Sequence, residues 1–247
     1  MGFGELLSTT LLAAWLDESG VATRWCDARA LIVTDDRHQA ANIDWVATRE
    51  RIASLATECD EVLLTQGFIG ATPGGAMTTL GREGSDFSAA ILAECLAADE
   101  LTIWKDVPGL FNADPRRFPD ARQIRRISYA EALEQTWHGA KVIHPRTLAP
   151  LQRTGIPLTV RSFLEPEAPP STIGPEPGDG DRQPALILRN HQLLLEVRPR
   201  EERFVEAGLM AEALGALAEQ GLDAHLLEVE AQRLRLVVCH RPERLAP

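Results

Sequence analysis

The sequence of 247 residues lacks a long apolar run, which argues against a membrane-spanning helix. Its first five residues also lack the basic segment with which a secretion signal begins. Cysteine is scarce: no two cysteines are close enough in sequence to suggest a pair of metal ligands, and each has apolar neighbours. We therefore expect a cytoplasmic protein, with no membrane partner and with reduced cysteines in its core. The cysteines are Cys26, Cys59, Cys95 and Cys239.

Basic residues are fewer than acidic ones, 25 against 36, so the formal net charge is −11. A surface of this charge repels nucleic-acid phosphates, and we expect no nucleic-acid partner. A small phosphorylated ligand stays possible, because a local basic pocket can form on an acidic protein. Hydrophobic residues make up 45% and charged residues 25% of the chain, which is typical of a globular protein. The length suffices for one large core, or for a medium domain and a small one.

Helical and extended patterns alternate over residues 1–164. The first helix is apolar on nearly all sides, so we expect it to be buried, with Gly20 just past its end. The alternation predicts an α/β fold: an open, mainly parallel sheet with helices on both faces and ligands at the carboxyl ends of strands. The predicted helices cover Leu6–Leu16, Ile43–Cys59 and Ser85–Ala98, with two more that begin at Ser128 and Pro145, and the predicted strands cover Thr23–Asp27, Leu31–Thr34, Glu61–Thr65, Leu101–Trp104 and Pro157–Ser162.

A different composition begins at Glu165. Nine of the twenty residues of Glu165–Pro184 are proline or glycine, which predicts a linker. Residues 185–241 then form a small α+β unit in the order strand, helix, strand, strand, with an open sheet edge. Its predicted elements are Leu193–Val197, Phe204–Gln220, Leu222–Glu228 and Leu234–Cys239.

Two clusters lie in the loops that follow the predicted strands ending at Thr65 and Trp104. Gly81 and Gly84 flank Arg82–Glu83, and Ser85–Asp86 begins a helix whose free N–H groups suit an anion. Arg82 can hold a carboxylate through two parallel hydrogen bonds. A glycine-rich turn capped by Ser85, with Arg82 in solvent, explains the same spacing equally well.

The second cluster follows Trp104. Lys105, Asp106, Asp114 and Arg116 crowd a strand exit, where cations can face phosphates and Phe111 can stack on a base. A surface loop whose charges pair with one another is slightly favoured by spacing alone.

A third cluster is Gly139–Pro145, in which Lys141 lies between two helices and can reach a phosphate. On its own, a solvated lysine is the better interpretation. His144, before a proline, is expected to be structural. The basic run of Arg116, Arg117, Arg122, Arg125 and Arg126 is expected to be a solvated face.

Together the three clusters resemble the aspartate kinases of the amino-acid kinase family. The resemblance covers about Met1–Thr172, and the remainder more weakly. It implies the amino-acid kinase fold, with residues 1–164 as its C-terminal portion, followed by a 165–184 linker and a partial ACT-like regulatory unit over 185–241. The matching motifs, in the family's order and spacing, are Phe3–Ser8, Thr79–Asp86, Trp104–Gly109, Asp114–Arg116 and Gly139–Pro145.

The activity that the resemblance implies is phosphorylation of the side-chain carboxylate of L-aspartate by ATP, which gives 4-phospho-L-aspartate on the route to lysine, threonine and methionine. ATP and Mg²⁺ are the implied cofactors, with magnesium bridging phosphate oxygens and no residue assigned to it. The implied partners are L-aspartate, lysine or threonine as an effector, and further copies of the chain in a homo-oligomer.

The resemblance also implies residue roles. Arg82 clamps a substrate carboxylate, Glu5 meets the substrate amino group, and Asp86 orients the cations around the transferring phosphoryl group. The implied substrate-binding residues are Glu5, Arg82, Glu83, Gly84 and Ser85, the implied catalytic residues are Asp86 and Lys141, and the implied ATP-binding residues are Lys105, Asp106, Phe111, Asp114, Arg116, Lys141 and Val142.

The sequence departs from the family in three places. The family has a phosphate-facing lysine and paired glycines upstream of the motif at Gly4–Glu5, and the sequence begins just before that motif. We therefore expect little turnover from this chain by itself. Glu83 stands where many members have glycine, and Lys105 where many have threonine.

Two alternatives stay open. The first is a non-catalytic remnant that binds effector or pairs with a full-length kinase subunit. The second keeps the fold and changes the substrate to glutamate or acetylglutamate; Arg82–Ser85 and the Lys105–Gly109 turn argue for aspartate.

Overall fold

The computed structural model describes residues 2–55, 61–139, 142–175, 184–199, 204–222 and 224–239. The chain divides into two compact units, Met1–Ile187 and Leu188–Pro247. The helices of the first unit are α1 (Gly2–Glu18), α2 (Ala28–Leu31), α3 (Trp45–Ala53), α4 (Gly84–Cys95), α5 (Tyr129–Trp137) and α6 (Pro145–Thr154). Its strands are β1 (Thr23–Cys26), β2 (Val62–Thr65), β3 (Ile69–Ala71), β4 (Met77–Thr79), β5 (Leu101–Lys105), β6 (Leu110–Phe111), β7 (Gln123–Ile124), β8 (Arg126–Ser128), β9 (Leu158–Ser162) and β10 (Ser171–Gly174).

The larger sheet of the first unit is mainly parallel, as the alternating pattern predicts. Strands β1 and β2 pair in parallel, and a four-stranded sheet runs in the order β5-β9-β10-β8. Within that sheet only the β9–β10 pair is antiparallel. Two short antiparallel hairpins, β3–β4 and β6–β7, lie between the parallel elements. The first unit is therefore a mixed α/β fold with a mainly parallel sheet.

Two hydrophobic clusters form the core of the first unit. The larger cluster packs α5 and α6 against the four-stranded sheet, with Leu148, Leu158 and Ile173 fully buried. The smaller cluster joins α2, α3 and α4 around Ile52 and Ile91. Helix α4 contributes to both clusters, so the position of its first turn is fixed by the core behind it.

Helix α1 differs from the sequence expectation. Its only buried residue is Gly2, and Phe3 and Leu7 are 72% and 65% exposed. The expectation of a buried helix is wrong: apolar residues on nearly all sides favour burial, but the sequence of the helix does not specify which elements cover it. Leu11 and Trp15 are exposed as well.

Polar contacts attach α1 to the rest of the unit. The buried Gln66 donates from Nε2 to Thr9 Oγ1 over 2.8 Å, and its Oε1 accepts from the backbone N–H of Ala28, also over 2.8 Å. Trp25 Nε1 donates to the same Thr9 oxygen over 3.1 Å. At the helix start, Gly2 lies so close to the Met77 side chain that a Cβ would come within 2.7 Å of its sulfur.

The proline- and glycine-rich segment contains a strand that was not predicted. Strand β10 lies between β8 and β9, and Ser171 and Ile173 are fully buried. The backbone N–H of Leu186 also donates to the carbonyl of Asn112, in the first unit. Ser171–Gly174 is therefore part of the sheet rather than linker, and composition alone concealed this because prolines flank a strand of only four residues.

Helix boundaries were predicted well where capping chemistry was present. Ser128 and Glu131 form both bonds of a capping box at the start of α5. Pro145 opens α6, Gly155 ends it at φ +74°, and His144 Nδ1 accepts from the backbone N–H of Arg146, which confirms a structural role for His144. Helix α3 begins at Trp45 and ends at Ala53, so it is shorter than predicted; residues 56–60 lie outside the described part of the chain.

The second unit contains β11 (Gln192–Val197), α7 (Ala207–Glu219), β12 (Ala224–Glu230) and β13 (Arg233–Cys239), in the predicted order. The antiparallel sheet runs β11-β13-β12. On one face, Arg235 of the central strand lies between its register partners and contacts Glu228 at 3.1 Å and Glu196 at 3.4 Å. Alternate residues of β13, Leu234, Leu236 and Val238, are buried.

The cysteines in the described residues are free thiols: Cys26, Cys95 and Cys239. All three are partly buried, and Cys26 and Cys95 pack against the smaller core cluster, so the expectation of reduced cysteines in the core holds for these two at its edge. Burial raises the pKa of the Cys95 thiol, which lowers its reactivity. Cys59 lies outside the described residues. In the described part of the chain, no helix combines the length and apolarity needed to cross a membrane.

The single tyrosine of the chain offers a pH probe of the core. The Tyr129 hydroxyl donates to the carbonyl of Ile156, and burial raises the pKa of Tyr129 to about 12. The neutral phenol therefore stabilises the fold fully below the ordinary tyrosine pKa of about 10, and this contribution is lost as the pH rises toward about 12.

We expect tyrosinate absorbance of the folded chain to rise with a midpoint near pH 12. The same titration of the urea-unfolded chain gives the ordinary midpoint of about 10. A midpoint of about 10 in a chain that circular dichroism shows to be folded would contradict the burial of Tyr129.

Candidate active site at the start of helix α4 and the end of strand β5

The glycine-rich segment after β4 turns sharply into α4. The backbone N–H of Leu80 donates to the carbonyl of Phe68 over 2.9 Å, which ties this segment to the chain between β2 and β3. Gly81 then takes φ +82° and Glu83 takes φ +51°. Two left-handed residues within three positions reverse the chain and place Arg82 at the tip of the turn, exposed to solvent.

Two glycines allow this turn to pack closely against the chain after β2. A Cβ on Gly67 would lie 2.8 Å from Ser85 Cβ, and a Cβ on Gly84 would lie 2.6 Å from Phe68 Cδ2. The backbone N–H of Phe68 donates to the buried hydroxyl of Ser88 over 2.9 Å. Close packing therefore fixes the start of α4, because no side chain separates the two segments.

The first turn of α4 has no side-chain cap. The N-cap is Glu83 rather than the predicted Ser85, and its carboxylate makes no capping hydrogen bond. The N–H of Gly84 donates to the carbonyl of Gly81, whereas the N–H groups of Ser85 and Asp86 find no acceptor among the described residues. Such N–H groups, together with the helix dipole, favour a bound anion.

Glu83 combines two unfavourable features. It is a non-glycine residue in the left-handed region, and its Oε2 is buried without a hydrogen-bond partner among the described residues. Left-handed backbone at a non-glycine residue costs about 1 kcal/mol, and an unsatisfied buried acceptor adds to that penalty. Strain of this kind is concentrated at functional sites.

We expect Glu83→Gly to stabilise the first unit by about 1 kcal/mol, because glycine takes positive φ without strain. Glu83→Ala is the matched comparison, since it removes the carboxylate and keeps a Cβ in the left-handed region. Urea denaturation measures both. A Glu83→Gly variant less stable than Glu83→Ala would show that backbone strain is not the dominant penalty.

A partly buried ion pair joins α4 to the end of β5. Lys105 Nζ lies 2.6 Å from Asp86 Oδ2, and the two side chains are 20% and 16% exposed. The contact lacks hydrogen-bond geometry at Oδ2, so it is an ionic contact with acceptor capacity left over. Partial burial strengthens the attraction relative to a surface pair. Lys105 and Asp86, which the sequence placed in separate clusters, therefore belong to one site.

Contacts from the β6–β7 hairpin and from β10 hold the turn after β5 in place. Gly109 takes φ +141°, and a Cβ there would come within 2.3 Å of Ser171 Oγ. Ser171 Oγ accepts from the N–H of Leu110 over 2.8 Å, and Gln123 Nε2 donates to the carbonyl of Pro108 over 2.8 Å. These contacts fix where Lys105 and Asp106 leave the sheet.

The remaining predicted residues lie around this frame with different surroundings. Glu5 lies in the first turn of α1 and is half-buried. Phe111 lies in β6, half-buried, and Asp106 and Arg116 are exposed. Asp114 Oδ1 accepts from the backbone N–H of Arg116 over 3.0 Å, so that carboxylate shapes its own turn.

The predicted residues of the third cluster are only partly described. Lys141 lies outside the described residues. Val142 packs its side chain against the larger core cluster. Arg146, four residues further on, was not predicted as a site residue, yet its guanidinium reaches the carbonyls of Leu80 and Ala41. Gln123 and Ser171 were missed too, since nothing in their local sequence indicates a contact across the fold.

No group of three or more His, Cys, Asp or Glu side chains suited to a metal is found among the described residues. Two single carboxylates could contact a metal here: Asp86, which belongs to the ion pair, and Asp106, the residue after Lys105. Such a set fits Mg²⁺ that is held chiefly by phosphate oxygens and water, the usual arrangement for a nucleotide-bound ion.

Comparisons with known proteins identify the family of the chain. The pattern of the Amino acid kinase family matches residues 1–162, about two thirds of the chain, and the chain belongs to that family. It is 40% identical over 226 residues to the lysine-sensitive aspartokinase 3 of Escherichia coli, covering 91% of this chain and 50% of that protein. It is 38% identical over 183 residues to a chloroplastic bifunctional aspartokinase/homoserine dehydrogenase 1 of Arabidopsis thaliana, covering 73% of this chain and 20% of that protein.

Solved structures give the same result. The crystal structure of E. coli aspartokinase III in complex with aspartate and ADP matches with a TM-score of 0.82 and 37% identity, covering 96% of this chain and 54% of that one. The E. coli enzyme in complex with lysine and aspartate matches with a TM-score of 0.81 and 37% identity, covering 98% of this chain and 56% of that one. The chain thus spans about half the length of the E. coli aspartokinase.

Proposed function

We propose that this chain carries the aspartate- and nucleotide-binding part of an aspartate kinase, which phosphorylates the side-chain carboxylate of L-aspartate with ATP. The contact that carries the proposal is the ion pair between Lys105 and Asp86, because it joins the turn that carries Arg82 to the strand exit assigned to the nucleotide. The match to an aspartokinase solved with aspartate and ADP supports it.

The reaction requires little of the protein beyond positioning of the two reactants and neutralisation of their negative charge. A side-chain carboxylate oxygen of aspartate forms a bond to the γ-phosphorus, the bond from that phosphorus to the bridging oxygen breaks, and ADP leaves with the electron pair. The nucleophile is already an anion, so no general base is required. Catalysis then depends on alignment and on cations that offset the charge of two anionic reactants.

The proposed roles are divided among the site residues. The Arg82 guanidinium holds the other carboxylate of aspartate, and the first-turn N–H groups of α4 add positive potential nearby. Lys105, oriented by Asp86, faces the phosphates from the end of β5. Bound Mg²⁺ would neutralise phosphate charge, with Asp86 of the ion pair and Asp106, the residue after Lys105, as candidate carboxylates. Lys141 completes the proposed set as a phosphate-facing cation.

A substrate panel on the intact chain tests the proposal. Binding is the better readout, since the chain spans about half the length of the E. coli relative and binding tests the proposed site directly. Calorimetry with ADP present is expected to detect saturable binding of L-aspartate and much weaker binding of L-glutamate and N-acetyl-L-glutamate. Tighter binding of either of these two compounds would indicate a phosphoryl acceptor other than aspartate.

We propose further that the second unit is an ACT-like regulatory unit with lysine as its effector. Its strand–helix–strand–strand order supports this, as do the name and the lysine complex of the E. coli relative. Calorimetric titration with lysine and with threonine separates the two candidate effectors. A homo-oligomeric assembly and a cytoplasmic location stay predictions.

A further inference from the structure

Arg146 holds three separate parts of the chain around the candidate site. It lies in the first turn of α6, half-buried. Its Nη1 donates to the carbonyl of Leu80 over 3.1 Å, and its Nη2 donates to the carbonyl of Ala41 over 3.2 Å. The guanidinium also stacks on the ring of Phe87, with 4.7 Å from Cζ to the ring centroid. One guanidinium thus makes contacts through both of its terminal nitrogens and through its planar face.

These three contacts surround the turn that carries Arg82. Leu80 immediately precedes Gly81, and Phe87 follows the first turn of α4. Ala41 belongs to the neighbouring loop, and its N–H donates to the carbonyl of Thr79 over 3.0 Å. Both ends of the turn are therefore fixed to α6 by the same guanidinium, and a shift of Arg146 would move Arg82 relative to the helix N-terminus.

The charge of Arg146 adds a second effect. No carboxylate among the described residues forms an ion pair with it, in contrast to Arg153 on the same helix, whose Nη2 lies 2.6 Å from Glu94 Oε2. An uncompensated cation beside the uncapped start of α4 adds to the potential that attracts an anion. Helix α6 also follows Val142–His144 directly, so Arg146 links that segment to the Arg82 turn.

We propose that Arg146 is a positioning residue for the substrate carboxylate: it holds the Leu80–Glu83 turn in the geometry that Arg82 needs. The inference rests on the proposed function, because the turn matters as a site only if it binds an anion. The competing explanation is that Arg146 contributes only packing. The two differ in what they predict for binding, since loss of packing alone lowers stability without a selective loss of one ligand.

The test uses Arg146→Met, Arg146→Lys and the matched control Arg153→Met in the full chain. Arg153 also stacks on an aromatic ring, 4.6 Å from the Trp45 centroid, and loses an ion pair when replaced, so it matches Arg146 for general destabilisation. Calorimetry measures the affinities for L-aspartate and for ADP, and amide hydrogen exchange measures the protection of Thr79, Leu80 and Ala41, whose N–H groups are bonded around the turn.

For Arg146→Met we expect aspartate affinity to fall about 10- to 100-fold, because a displaced Arg82 loses the alignment of its charged hydrogen bonds to the substrate carboxylate. ADP affinity changes less than about threefold, since the contacts of Arg146 lie on the aspartate side. The three amides exchange faster. Arg146→Lys recovers part of the aspartate affinity, because one ammonium can reach one of the two carbonyls. Arg153→Met matches the unmodified chain in both affinities.

Unchanged aspartate affinity in Arg146→Met, or an equal loss for aspartate and ADP, would overturn the positioning role. An equal loss in Arg153→Met would do the same. If the unmodified chain binds no aspartate, the proposed function fails, and hydrogen exchange still decides on Arg146: faster exchange confined to the turn supports positioning, and unchanged protection rejects it.

Discussion

Replacing Arg82 with glutamine is expected to weaken L-aspartate binding by about 100-fold. Loss of one partner of a charged, hydrogen-bonded pair costs about 2–5 kcal/mol, and each 1.4 kcal/mol is a factor of about ten. Arg82 is exposed at the tip of the turn, and its side chain makes no hydrogen bond or ion pair with another described residue. Stability should therefore change by less than about 0.5 kcal/mol. Calorimetry gives the affinity and urea denaturation gives the stability.

Arg126→Gln is the control for this prediction. Arg126 is an exposed arginine on β8 in the same unit, so its replacement removes the same charge from the protein at a different place. It should leave aspartate affinity within about twofold, because a distant surface charge is screened. If both variants lose affinity equally, net charge rather than the Arg82 clamp governs binding. ADP affinity should be nearly unchanged in both.

Gly84→Ala is expected to destabilise the first unit by about 2–3 kcal/mol, the upper part of the range for overpacking. The added Cβ would lie 2.6 Å from Phe68 Cδ2, 3.2 Å from Phe68 Cα and 3.3 Å from Leu80 Cβ. Neither neighbour can move away easily, because Phe68 is held at φ +71° and Leu80 is fully buried. The melting temperature of the first unit should fall by about 5–10 °C. Aspartate affinity should fall with it, since the turn that carries Arg82 must shift.

Gly4→Ala is expected not to destabilise the first unit, and it controls for the replacement of glycine by alanine as such. Gly4 lies within α1, and a Cβ there would meet no atom within 4 Å. Alanine is better than glycine in a helix by about 1 kcal/mol, so this variant should be as stable as the unmodified chain or slightly more so. A Gly84→Ala variant that melts with the unmodified chain would refute the close approach between Phe68 and Gly84.

The sequence predicted best those features that depend on local chemistry. The capping box at Ser128 and the proline–glycine bounds of α6 follow from hydrogen bonds within a few residues, and both are present. The alternation of helices and strands predicted the class of fold, because burial against a parallel sheet imposes that order.

The features that the sequence did not predict share a cause: each depends on which distant segment of the chain packs against the residues concerned. Helix α1 was predicted to be buried, yet Phe3 is 72% exposed. Strand β10 is short and surrounded by prolines, and it is stabilised by pairing with β8 and β9 rather than by its own composition. The left-handed φ of Glu83 has no local signal, since glutamate rarely takes that conformation.

The candidate site shows the same division. The sequence identified Arg82, Asp86 and Lys105 in two separate clusters, and spacing alone left each cluster open to an ordinary structural explanation. The structure brings Asp86 and Lys105 to 2.6 Å, a contact across 19 positions that no local pattern specifies. Arg146 was missed for the same reason: the carbonyls it binds lie 66 and 105 positions away.

The most direct test of the proposed substrate site is calorimetric titration of the intact, folded chain with L-aspartate in the presence of ADP. We expect saturable binding at a single site, which is largely lost in Arg82→Gln and retained in Arg126→Gln. A folded chain that binds no aspartate, or that binds it equally well without the Arg82 guanidinium, would contradict the assignment of the α4 turn as the substrate site.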